Sequence, residues 1–168
     1  VFSVLVAVYR TPINWSLTNL LFFIGVAGWV VGGVGAVIDA TISNNFVLHN
    51  TLWVPAHFHT YNAMGNVLFS LAFFHWFSVE ASGERKSEPS SKLKLSLLLI
   101  GGIGFLAAFY IGGAESIPRR YSDYPVEFPM AQILANIAAI FAIVYLVAIL
   151  IFFTNIGKKC IGILRSSA

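Results

Sequence analysis

The sequence predicts an all-α integral membrane helical bundle: four full transmembrane helices, preceded by the end of a fifth. Three observations carry that prediction. Hydrophobic residues make up 58% of the 168 positions and charged residues only 10%, where a soluble domain carries about a quarter charged residues. The apolar residues fall into four runs of roughly 20, the length that crosses ~30 Å of hydrocarbon. Polar and charged residues gather between the runs, most densely in EASGERKSEPSSKLK, residues 80–94. The whole chain, residues 1–168, therefore reads as a single membrane domain. A net charge of +3, dispersed along the chain, excludes a nucleic-acid surface. The lone Cys160 excludes an internal disulfide framework or a thiolate metal cluster made by this chain alone.

Residues 1–9 are apolar but too few to span, and Thr11-Pro12 breaks the pattern, so they read as the last part of a helix that begins earlier. The opening VFSVLVAVYR has neither an initiating Met nor a signal-peptide pattern, and the chain is expected to belong to something larger. Asn14 and Ser16 supply helix-start chemistry for a first span over 17–40. Residues 41–55 read as a connecting loop, with Pro55 suited to the first turn of the next helix. The second span covers 56–77 and is unusually polar where it begins, with His57, His59, Asn62 and Asn66. After the loop at 80–94, a third span covers 95–114. ESIPRRYSDYPVEFP then leads to a fourth at 130–153, with Lys158, Lys159 and Arg165 in a basic tail. If the four spans alternate in direction, eight of the ten basic residues fall on one side of the membrane, which should be the cytoplasmic or matrix side. Only Arg119 and Arg120 fall on the other.

The histidine pair is the strongest chemical signal. At ~100° per residue, His57 and His59 point about 200° apart with ~3 Å of axial rise between them, so they cannot share one metal ion. They can serve two sites at one membrane depth, on opposite flanks of the helix. Each could instead be a buried histidine bonded to a neighbouring helix, but two at this spacing favour ligands. Imidazole is the commonest protein ligand of haem iron, and a helix between two flat macrocycles suits electron transfer. Arg119 and Arg120, beside Tyr121, Asp123 and Tyr124, can hold anions such as haem propionates by bidentate hydrogen bonds; a solvated loop paired with Asp123 or Glu127 is the plain alternative. His49 lies on the same side as the arginines and is a candidate for a propionate or a small cation. Asp39 is costly against lipid and should face the bundle or water. His75 reads, with Trp76, as an interfacial anchor. Glycines at 25, 28, 32, 33 and 35 permit close helix contacts.

HNTLWVPAHFH at 49–59 and IPRRYSDYP at 117–125, in this order, resemble subunit I of the haem-copper oxygen reductases, the terminal respiratory oxidases. The likeness extends over about residues 1–155 and looks like the C-terminal portion of that subunit. It implies that His57 is the axial ligand of a high-spin haem and His59 one of two axial ligands of a low-spin haem. It implies further that Arg119 and Arg120 hold haem propionates and that His49 lies near those of the high-spin haem. The reaction it implies is four-electron reduction of oxygen to water coupled to proton translocation, with quinol or a cytochrome or copper protein as donor. The family's copper ligands lie upstream of Val1, so copper belongs to the complete enzyme and is not ligated by this chain. The implied partners are the remaining helices of subunit I on the same or a separate chain, subunit II and accessory subunits. Asn50 and Asn45 stand where acids are common in the family, which argues against a magnesium site and a carboxylate proton-loading role. W-V-P before H-F-H looks like the B-type branch and PRRYSDYP like the A-type; a prokaryotic plasma membrane is expected over the mitochondrial inner membrane. The competing reading is a non-catalytic haem-binding electron-transfer anchor, which should supply two histidines to one haem, whereas this chain offers each flank one. A nitric oxide reductase relative fits PRRYSDYP less well. A channel or transporter lacks the expected broken-helix pair and internal repeat.

Overall fold

The computed structural model describes residues 2–83 and 91–166. Its helices are α1 (Phe2–Arg10), α2 (Leu17–Ala40), α3 (Ile42–Leu48), α4 (Trp53–His59), a π-helical segment (Thr60–Val67), α5 (Leu68–Ser82), α6 (Ser91–Ala114) and α7 (Ala131–Ser166). Three stretches are long and apolar enough to cross a membrane: Leu17–Ala40, Lys92–Ala114 and Ala131–Arg165. Residues 53–82 form a further unbroken helical run, divided by its π-helical middle. Among the described residues the only β-type pairing is an isolated antiparallel bridge between Thr51 and Pro118.

Element ends follow local chemistry. The Ser16 hydroxyl accepts the Asn19 amide at 3.4 Å and opens α2, in a conventional N-cap. Pro55 falls in the first turn of α4, where its missing N–H costs nothing. Gly83 closes α5 in the left-handed region at φ 66°, where a Cβ would be strained.

Several extents differ from the sequence expectation. The second helical run covers 53–82 rather than 56–77, and the third begins at Ser91 rather than 95. The fourth continues past 153 to Ser166, so Lys158, Lys159 and Arg165 stand on helix and not on a tail. Hydropathy marks the apolar stretch, whereas helix-forming lysine, leucine and arginine carry the helix beyond it. The expected loop 41–55 contains the short helix α3. Of the charged loop, Arg85 and Lys86 lie outside the described residues. Lys94 is not solvated: it sits in α6, is 2% exposed, and its ammonium lies 5.6 Å from the centre of the Phe152 ring.

Glycines set the packing. Gly25, Gly28, Gly32 and Gly35 form one buried stripe of α2 against the antiparallel run 53–82. A Cβ at Gly28 would meet the Met64 carbonyl at 2.5 Å, one at Gly32 the Tyr61 amide at 2.8 Å, and one at Gly35 the His57 Cβ at 2.7 Å. The backbones therefore touch along the whole stripe, as small residues allow between membrane helices. Gly101 does the same for α6 against the Tyr145 backbone of α7, and Gly104 makes room for the Phe141 ring. The main core gathers Leu17, Leu21, Met64, Leu68, Leu98 and Phe152 from four helices, and a smaller cluster around Ile117, Ala131 and Leu134 seals the opposite end.

Candidate functional site

The two sequence motifs meet through backbone hydrogen bonds. Leu52 N–H donates to the Ile117 carbonyl at 2.9 Å, and Arg119 N–H donates to the Asn50 carbonyl at 2.8 Å. This lock, flanking the Thr51–Pro118 bridge, holds the arginine pair over the start of α4. The turn is strained to reach there: Ser116 at φ 56° and Arg120 at φ 73° are both left-handed without being glycine, a conformation costing of order 1–3 kcal/mol each.

His57 and His59 leave α4 on different flanks. His57 is buried, its Cβ against Gly35 of α2, with Nδ1 3.2 Å from the Trp53 carbonyl. A carbonyl only accepts, so Nδ1 is the donor in this contact and Nε2 is the ring nitrogen not engaged by it. His59 turns to α6, its ring centroid 5.5 Å from that of Phe105 and 6.1 Å from that of Phe109. It makes no hydrogen bond among the described residues. Phe58, between them, is half exposed.

A cavity of about 560 Å³ is lined by His57, Phe58, Phe109, Arg119, Arg120 and Tyr124, with Leu52, Val54 and Pro55 completing its wall. Histidine, both arginines and a tyrosine thus face one space. Arg119 Nε is buried with no hydrogen-bond partner, an arrangement that costs free energy unless something accepts that hydrogen. Burial pushes the Tyr124 phenol above its ordinary range, keeping it a neutral donor. Its ring stacks on Tyr121 at 5.9 Å. A second cavity, about 380 Å³, lies between α6 and α7 behind Phe105 and Phe109, with Tyr121, Ser122, Tyr124 and Gln132 at its polar end.

The remaining candidates lie apart from this space. His49 is exposed at the end of α3, its Nδ1 3.4 Å from Asn45 Nδ2, and does not line the cavity. Asp39 is half-buried with Oδ1 unpartnered. His75 is no interfacial anchor: it is 9% exposed and Thr18 Oγ1 lies 2.8 Å from its Nδ1. Its turn of the helix faces α2, which replaces lipid headgroups as its neighbour. The sequence reading missed Tyr110 of α6, whose hydroxyl lies 3.1 Å from Thr60 Oγ1 behind the histidine pair and whose ring meets Trp53 at 5.0 Å. Only a tyrosine in an otherwise apolar span signalled it.

The donor set fits haem: His57 and His59 each carry an imidazole, and both guanidinium groups face the cavity that His57 lines. The family profile described as Cytochrome C and Quinol oxidase polypeptide I matches residues 1–153. Cytochrome c oxidase subunit 1 of Thermus thermophilus is 28% identical over 134 residues, which cover 77% of this chain and 24% of that protein. Cytochrome c oxidase polypeptide 1 of Halobacterium salinarum is 35% identical over 124 residues, 71% of this chain and 20% of that one. A heme-copper terminal oxidase dimer solved by cryo-EM superposes with a TM-score of 0.71 over 90% of this chain and 28% of its own, at 23% identity, a likeness of fold. The chain spans about a quarter of the length of the curated relatives it matches. With its two motifs locked together and the profile matching through residue 153, the chain belongs to the cytochrome c and quinol oxidase polypeptide I family.

Proposed function

We propose that this chain is the haem-holding C-terminal part of subunit I of a terminal respiratory oxidase, which reduces oxygen to water and couples that reaction to proton translocation. The observation that carries the proposal is that His57 shares a cavity with Arg119 and Arg120 while His59 turns onto α6. On this reading residues 53–82 are a fourth span. Their ~45 Å at 1.5 Å per residue exceeds the hydrocarbon thickness.

The roles are those the family resemblance implies, and the arrangement of the side chains supports them. His57 offers Nε2 to the iron of a high-spin haem, its ring held by the Nδ1 bond to Trp53, the usual support behind a metal-bound histidine. His59, packed edge-on against Phe105, would hold the iron of a low-spin haem together with a second ligand from the remaining helices of subunit I. Haem supplies redox chemistry at iron; the protein supplies axial ligands, hydrogen bonds and a low-dielectric setting that tune it. Arg119, with its unpartnered Nε, and Arg120 bind the propionates, offsetting buried charge. The resemblance assigns His49 to the neighbourhood of the high-spin haem's propionates, although its ring does not line the cavity that holds the arginines. Copper is ligated by the remaining helices of subunit I, on the same or a separate chain. Subunit II, accessory subunits, oxygen and a quinol, cytochrome or copper-protein donor complete the reaction. The W-V-P before H-F-H supports a B-type-like ligand motif and a prokaryotic plasma membrane.

The test is metal and haem content with oxygen consumption, measured on the purified complex containing this chain. Two haems and copper per complex, with cyanide-sensitive oxygen uptake lost in His57→Ala, are expected. Haem without copper and without oxygen uptake would replace the proposal with an electron-transfer anchor.

A further inference from the structure

Immediately after His59 the helix widens into eight residues of π-helix, Thr60–Val67. Such widening is rare and is frequent at functional sites. Side chains donate to backbone carbonyls along this stretch. Thr60 Oγ1 donates to the Ala56 carbonyl at 2.8 Å, the Tyr145 hydroxyl donates to Ala63, and Asn62 Nδ2 donates to the Phe58 carbonyl at 3.0 Å. The last of these continues outward. Asn66 Nδ2 donates to Asn62 Oδ1 at 3.0 Å, and Trp29 Nε1 of α2 donates to Asn66 Oδ1 at 3.1 Å. The result is one directional chain, from an indole on a neighbouring helix through two amides to a single carbonyl. That carbonyl belongs to the peptide joining Phe58 to His59, so its tilt sets where the His59 Cα–Cβ bond points.

We propose that Asn62, backed by Asn66 and Trp29, is a positioning residue for the histidine pair: it clamps the Phe58–His59 peptide at the start of the π-helical segment and fixes the angle at which His59 is presented. The inference rests on His59 being a haem ligand and adds what orients it. Asparagine is costly in a membrane span, and a helix needing only apolar packing would carry leucine at 62 and 66. Each asparagine accepts with its amide oxygen and donates with its amide nitrogen, a pairing apolar side chains at these positions would not reproduce. Linked hydrogen bonds also polarise one another, so removal of a distant member weakens the last.

The test is made in the complete, haem-loaded oxidase with Asn62→Leu, Asn66→Leu, Trp29→Phe and Asn62→Gln, and with Ser70→Ala as control. Ser70 bonds only the Asn66 backbone carbonyl and stands outside the chain. The readouts are the electron-resonance g-values of the low-spin ferric haem and its reduced-to-oxidised ratio at one fixed ambient potential. Asn62→Leu is expected to keep its haem content, shift the g-values and change that ratio roughly two- to tenfold, the range one amide hydrogen bond commands. Asn66→Leu and Trp29→Phe should shift both readouts in the same direction by less, and the Asn62→Leu/Asn66→Leu double variant no further than Asn62→Leu alone. Asn62→Gln, which retains the amide, should stay near wild type, as should Ser70→Ala. Unchanged g-values and ratio in Asn62→Leu, or Asn62→Gln as altered as Asn62→Leu, overturn the inference. If Asn62→Leu does not assemble, Trp29→Phe, which removes the distant donor and keeps an aromatic ring beside Gly65 and Tyr61, decides by the same criterion. His59→Ala separates the two levels. Loss of the low-spin signal there with an inert Asn62 removes this inference alone, and retention of that signal removes the ligand assignment and the inference together.

Discussion

Gly35→Ala is the smallest change that should reach His57. A Cβ on residue 35 would lie 2.7 Å from the His57 Cβ, 3.7 Å from its Cα and 3.1 Å from the Tyr110 hydroxyl. Carbon atoms rest at ~3.5–4.0 Å, so relief needs about 1 Å of movement. Neither Cβ can swing away, because both are fixed to helix backbone. The shift must therefore part α2 from α4 or tilt the histidine. Overpacking of this kind costs about 1–3 kcal/mol, offset by the ~0.8–1.0 kcal/mol that alanine gains over glycine inside a helix. Gly33→Ala isolates the steric part: it lies in the same helix and its Cβ meets nothing within 4 Å. Gly33→Ala should be neutral or slightly stabilising, and Gly35→Ala less stable than it by about 1–3 kcal/mol. The assay is thermal unfolding of the detergent-solubilised complex, with the optical band of the high-spin haem followed in parallel. Gly35→Ala should shift that band and reduce turnover, since ~1 Å of misplacement can cost 10²-fold; Gly33→Ala should do neither. Equal stability and identical spectra for the two variants would refute the close-contact reasoning.

Other outcomes follow from the same contacts. Replacing Arg119 and Arg120 together by alanine should retain both haems, because the iron ligands remain, while shifting haem midpoint potentials; a redox titration indistinguishable from wild type would remove them from the propionate role. Phe152→Ala should cost about 3–5 kcal/mol, since the ring is 1% exposed and lies against the Lys94 ammonium, and the unfolding temperature of the complex reads it directly. Gly83→Ala puts a Cβ on a left-handed residue at φ 66° and should cost roughly 1 kcal/mol, visible as a small loss of thermal stability with unchanged spectra.

The parts legible in the sequence were those written in local pattern. The span over 17–40 is an unbroken apolar run opened by Ser16, and the structure returns those bounds. The opposed directions of His57 and His59 followed from helical rotation alone, because the π-helical segment begins only after them. That segment itself was illegible, since side-chain pattern does not reveal a backbone that widens. Lys94 and His75 were misjudged for a related reason. A charged or polar residue near a span end looks solvated until its neighbours are known, and here the neighbours are Phe152 on one helix and Thr18 on another. The lock between Asn50 and Arg119 joins residues far apart in sequence, and the only hint was that both motifs belonged on one side of the membrane.

The central claim is that His57 and His59 serve two different haems. The direct measurement is optical and low-temperature electron-resonance spectroscopy of His57→Ala and His59→Ala in the complete oxidase. His59→Ala should lose the low-spin haem and keep much of the high-spin centre, and His57→Ala should do the reverse. Both variants showing unchanged haem content and unchanged spectra would contradict the account.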